Sequence, residues 1–153
     1  MKKLVFGLCA LLMCLMITSC GDNSTGKNED KDKKGTEKVE TPTSKFMSLA
    51  KNVEKNGNNW TDAEQWVEVM VEYANCMIEF SESNPTKEEY EDFRSAYKDL
   101  SYGFSKIDNS EAKKAMDKAD EIFTEEHEDL DESLKKAEEE LVKMSMMYEN
   151  NDE

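Results

Sequence analysis

The chain has 153 residues, 35 of them acidic and 20 basic, with a formal net charge of −15 at pH 7. That length supports one modest folded domain with a single core. An acidic field of this size repels nucleic-acid phosphates and anionic membrane surfaces, which excludes nucleic acid as a partner, and it attracts cations and basic proteins.

Lys2 and Lys3 precede fourteen uncharged, mostly apolar residues from Leu4 to Ile17. These have the order and lengths of the charged and apolar regions of a secretory signal. At about 1.5 Å per residue the apolar run reaches about 21 Å, short of a hydrocarbon core of about 30 Å, so a spanning helix is disfavoured. The run ends in Ile17-Thr18-Ser19-Cys20, an apolar residue, two small ones and a cysteine. This ending resembles the lipobox of bacterial lipoproteins, and the resemblance covers the first twenty residues only. It implies a signal peptide of residues 1–19, cleavage between Ser19 and Cys20, and a thioether-linked diacylglycerol on Cys20. With the new amino group acylated as well, two or three chains would anchor the protein stably, where a single chain holds only marginally. Gly21 stands where an aspartate would resemble an inner-membrane retention signal, so the resemblance points to the outer membrane of a bacterial cell envelope, facing either the periplasm or the cell surface. The charged tract behind Cys20 also looks like that of lipoproteins exported to the surface in Bacteroidetes-type bacteria.

Residues 20–44 read as a lipidated, disordered tether. Between Gly21 and Ser44 the sequence has one aliphatic residue, Val39, and no aromatic one. It cannot bury enough apolar surface to offset the entropy of ordering it. A flexible tether of that length has a root-mean-square reach of about 27 Å. Charge is distributed unevenly along the chain: residues 20–45 carry six acidic and six basic side chains, whereas residues 46–153 carry 29 acidic and 12 basic ones.

Residues 45–153 read as an acidic helical bundle domain. Phe46, Leu49, Ala50 and Val53 recur at helical spacing and predict a short one-sided helix, ended by Asn56-Gly57-Asn58-Asn59. Thr61-Asp62-Ala63-Glu64 has the spacing of a capping box. The helix behind it carries a stripe of Ala63, Trp66, Val67, Met70, Tyr73, Ala74, Met77 and Phe80, widened by Val69 and Cys76, and is expected to be the most buried. Asn84-Pro85 breaks it, Thr86-Lys87-Glu88-Glu89 is a second capping box, and Tyr90 is placed to fold back on Pro85. In the third helix Tyr90, Phe93, Tyr97, Leu100, Phe104 and Ile107 follow alternating steps of three and four, the seam of a bundle.

Asp108-Asn109-Ser110-Glu111 is a third capping signal, and no glycine or proline follows Gly103. The last helix is therefore expected to run from about Ser110 to Glu149, some 60 Å at about 1.5 Å per residue. Ala115, Ala119, Ile122 and Phe123 mark the inner face of its first half, and Leu130, Leu134, Ala137, Leu141, Met144 and Tyr148 that of its second. The rhythm slips across Thr124–Asp129, where a kink is expected.

His127 is the only histidine. It lacks the Glu-x-x-His pairing of helical di-metal sites, since Thr124 stands three residues before it, and one histidine falls short of usual zinc ligation. No metal site is assigned, and a local charge pair is its expected role. A Gly-rich phosphate loop, a C-x-x-C pair, a G-x-S-x-G elbow and an H-E-x-x-H helix are all missing, so no catalytic or cofactor-binding residue is assigned and the expectation is a protein that is not an enzyme and carries no cofactor. Cys9 and Cys14 leave with the signal and Cys20 is committed to lipid, which leaves Cys76 as a lone thiol, read as a small core residue. Met146 and Met147 widen the last helix's apolar face beyond what one neighbour needs and form the candidate partner surface, because methionine adapts to varied contacts.

The expected fold is all-α, a small antiparallel bundle of three to four helices with a long, kinked C-terminal helix. The expected role is a membrane-anchored, non-catalytic binding or accessory protein of the envelope with a protein partner. The alternative is an acidic immunity or inhibitor protein that neutralises a basic toxin or hydrolase.

Overall fold

The structure, a computed structural model, describes residues 40–149. The expected signal peptide, Cys20, most of the expected tether and the last four residues lie outside them. Helix α1 spans Pro42–Asn56. Thr41 caps it, its hydroxyl accepting from the Ser44 amide at 3.2 Å, and Pro42 occupies the first turn, where a missing N–H costs nothing. This helix starts at Pro42, within residues 20–44 assigned to the tether, because the Thr41-Pro42 pair is itself a helix start.

A single 3-10 turn over Gly57–Asn59 leads to α2, Ala63–Glu82. The cap of α2 is Asp62, whose carboxylate accepts from the Glu64 amide at 3.0 Å, in place of the expected Thr61 box. A carboxylate immediately before the first helical residue satisfies an orphan amide and complements the positive end of the helix dipole, so Asp62 outcompetes Thr61. Asn84, at φ 51°, turns the chain out of α2 in the left-handed region that asparagine tolerates. Helix α3, Lys87–Ser105, starts with the expected capping box: the Thr86 amide donates to Glu89 at 2.8 Å and the Glu89 amide to the Thr86 hydroxyl at 3.3 Å. Helix α4, Ser110–Glu126, is capped by Asn109 rather than Asp108, the Asn109 side chain accepting from the Glu111 amide at 2.9 Å.

The expected single last helix is two helices, α4 and α5, the latter Glu128–Glu149. The interruption is one residue long. His127, at φ −124° and ψ 41°, leaves helical geometry, yet its amide still donates to the Phe123 carbonyl and its carbonyl accepts from the Asp131 amide, both at 2.9 Å. Five helices result, with no strand among the described residues and no helix long and apolar enough to cross a membrane.

Helices α1, α2 and α3 alternate in direction. Lys45 meets Glu79 at one end of the α1–α2 pair and Gly57 approaches Trp66 at the other. Phe80 stacks on Phe93 with centroids 3.9 Å apart, and Trp66 lies 6.0 Å from Phe104, so α3 returns antiparallel to α2. The most extensive pairing is α1 with α3. Gly103 permits it, since a Cβ there would sit 3.4 Å from the Ala50 carbonyl oxygen and the Glu54 amide. The ring of Phe46 is fully buried and touches Tyr73, Phe93 and Tyr97, joining three helices through one side chain. Helix α2 is central, packing against α1, α4 and α5, and nine of its residues are buried. The α5 helix runs alongside it in the same direction, with Glu138 beside Tyr73 and the Tyr148 hydroxyl donating to the Pro85 carbonyl. Tyr148 also packs on Tyr90, so α5 ties the start of α3 to the turn at Pro85.

Candidate binding groove

The expected stripe of α2 is buried except for Val67, which is only partly covered. The reason is a groove of about 520 Å³ along that side of α2, lined by Val67, Glu68, Val71, Glu72, Asn75, Cys76 and Glu79, with Lys45 from α1 and His127 from the α4–α5 corner as its walls. Its volume falls within the range of small-ligand sites. Two valines one turn apart make an apolar floor. Glu68 and Glu72, also one turn apart, are exposed and have no basic partner among the described residues, whereas Glu79 is paired with Lys45 at 2.9 Å. From Glu68 to Glu79 the carboxylate row extends about 16 Å along the helix axis.

Cys76 lies beneath this row, only 2 % exposed. Burial pushes its thiol up to about 11, and the charges of Glu72 and Glu79 act in the same direction. It is therefore a packed, protonated thiol, unlike the low-pKa cysteines of redox and nucleophilic sites. His127 is half-buried, and its ring faces Phe123 at 5.6 Å. The charge pair expected of it does not form among the described residues, because the break in the helix turns the ring inward against Phe123 while its acidic neighbours remain exposed.

A second feature escaped sequence reasoning. Asp131 and Glu138 are buried on the inner face of α5, at 4 % and 5 % exposure, and Asp120 of α4 lies near Asp131. Asp131 is paired with Lys135 through one oxygen, while the other has no hydrogen-bond partner. Burial first, and then the charge of Asp131, push Glu138 up to about 7 against the opposing pull of the Tyr73 hydroxyl and Lys135. Burial and the same Asp131 charge raise Asp120. Desolvation and like charge both favour the neutral acid, so this interface holds a proton that an exposed carboxylate would have released. Among the described residues, no three His, Cys, Asp or Glu side chains form a metal-binding group.

Met146 and Met147 lie on the last turns of α5, 54 % and 49 % exposed, and neither lines the groove. Two elements of the sequence could have revealed the groove: Val67 and Val71 extend the apolar arc of α2 beyond its buried stripe, and Glu68 and Glu72 flank that extension. The chain matches no family model, no curated protein and no solved structure. What the fold defines is an all-α bundle domain with an acidic groove on its central helix.

Proposed function

We propose that this chain is a lipid-anchored, non-catalytic binding protein of a bacterial cell envelope, held at the membrane through Cys20 and engaging a basic protein partner. The observation that carries the binding role is the groove: an apolar floor beside carboxylates that no neighbouring lysine neutralises, on a helical region with 29 acidic and 12 basic residues. Groups left in that state gain when a partner supplies the opposite charge and excludes water from the valines. The lipobox-like Ile17-Thr18-Ser19-Cys20 supports the anchor, and the run of small and charged residues behind it supports a tether that keeps the body clear of the bilayer.

The charge imbalance also favours a second reading, an inhibitor or immunity protein whose basic partner is a toxin or hydrolase. The two readings separate in the native cell. Under the second, deleting the gene sensitises the cell to a basic toxin or lysozyme-like enzyme, and under the first it does not. The anchor is tested with Cys20→Ala: the variant is expected to remain unprocessed or to leave the membrane fraction, and normal processing with undiminished membrane retention would overturn the lipoprotein reading.

A further inference from the structure

We propose that the α2 groove is the docking site for a basic amphipathic segment of a partner protein, with lysine or arginine heads on Glu68 and Glu72 and their aliphatic stems across Val67 and Val71; this rests on the binding role above and specifies its site. Long basic side chains carry three or four methylenes that prefer apolar surface and a head that prefers water or a carboxylate. The groove offers both within one turn of helix, the valines below and the carboxylates at the rim. Its volume of about 520 Å³ accommodates a few side chains and not a whole helix, so the partner's backbone rides outside it.

The ends of the groove set the register. At the Glu79 end the carboxylate is occupied by Lys45, an internal example of the contact that the partner would make at Glu68 and Glu72. His127 also lines the groove, adding an aromatic ring that packs on Phe123. A partner segment with basic residues one turn apart therefore fits over Glu68 and Glu72, while an acidic segment meets like charge at both. Anionic lipid is disfavoured for the same reason.

The test uses the intact protein in detergent and a helical peptide composed of leucine and lysine, with a leucine-glutamate peptide as the control. Binding of the lysine peptide is expected, weakening with added salt, and none of the glutamate peptide. Glu68→Gln combined with Glu72→Gln is expected to weaken binding about tenfold, as the loss of two partly exposed charge pairs implies. Asp99→Asn with Glu132→Gln, which removes the same charge elsewhere, is expected to change it less than about twofold. Amide chemical-shift changes should centre on Val67, Val71 and His127. Equal weakening by both double variants, or a footprint centred on Met146 and Met147, would overturn the groove as the site. Thermal melts of the variants, expected to match the parent, show that lost binding is not lost fold. Failure at the groove leaves the anchored binding role standing if an envelope partner still crosslinks, whereas membrane retention of Cys20→Ala removes the anchor whatever the groove does.

Discussion

Asn109 holds two turns of the protein together by donating twice to Asn58: its amide to the Asn58 side-chain oxygen at 3.1 Å, and its side chain to the Asn58 carbonyl at 2.7 Å. Asn58 accepts from the Asp108 amide at 2.9 Å as well, and donates to the Lys106 carbonyl at 3.2 Å. The connection between α1 and α2 is thereby bound to the start of α4, and Asn109 is left oriented to cap that helix. Asn58→Ala is expected to cost about 1–3 kcal/mol, read as a lower urea midpoint at unchanged slope. Asn58→Asp, which keeps the acceptor and loses the donor, should recover most of that loss.

The buried carboxylates of α5 give the domain an unusual pH response. Glu138 has a folded-state value of about 7, raised from 4.5, so its contribution to stability is complete below the unfolded value and lost as pH rises through the folded one. The groups facing it are Asp131 and Lys135 on α5 and Tyr73 on α2, and Asp120, shifted in the same direction, reinforces the trend. Melting temperature is expected to fall between about pH 4.5 and pH 8, by at most about 3 kcal/mol in stability. Glu138→Gln should raise stability at pH 8 and flatten the profile; a profile unchanged by that substitution would assign the slope to other groups.

Phe46 joins α1, α2 and α3, and Phe46→Ala is expected to cost about 3–5 kcal/mol. For a single domain this is a large fraction of the total stability. Loss of the cooperative thermal transition, or a steep fall in its midpoint by circular dichroism, is the expected readout.

Cys76 should be inert in the native state, being both covered and protonated. Labelling with a thiol reagent is expected to follow the rate of opening, slow in buffer and immediate in denaturant. A basic peptide seated in the groove above it should slow labelling further.

Much of the helical layout was legible in the chain. The aromatic-rich steps from Tyr90 to Phe104 and the stripe from Ala63 to Phe80 follow from spacing that only one face of a helix satisfies, and the Thr86-Glu89 box from its own spacing, whereas Ile107, expected on the same seam, is buried beyond the end of α3 at Ser105. The two displaced caps were not legible, because Thr61 and Asp62, like Asp108 and Asn109, are adjacent residues that cap comparably; at α4 the bonds from Asn109 to Asn58 hold the chosen cap in place. In α5, Asp131, Leu134, Glu138 and Leu141 follow the same steps of three and four as a buried seam. Residue type suggested surface for the two acids, but position placed them inside. The break at His127 was visible as a slipped rhythm, though its confinement to one residue depends on hydrogen bonds that no local pattern encodes.

Trp60 and Trp66 are the only indoles of the chain, and they stand edge to face at 5.0 Å, the Trp66 ring nitrogen donating to the Trp60 carbonyl. Light absorbed by one is shared with the other at a single pole of the molecule. Tryptophan emission will thus report the α1–α2 turn as it loosens, and stay largely silent when the far end of α5 frays.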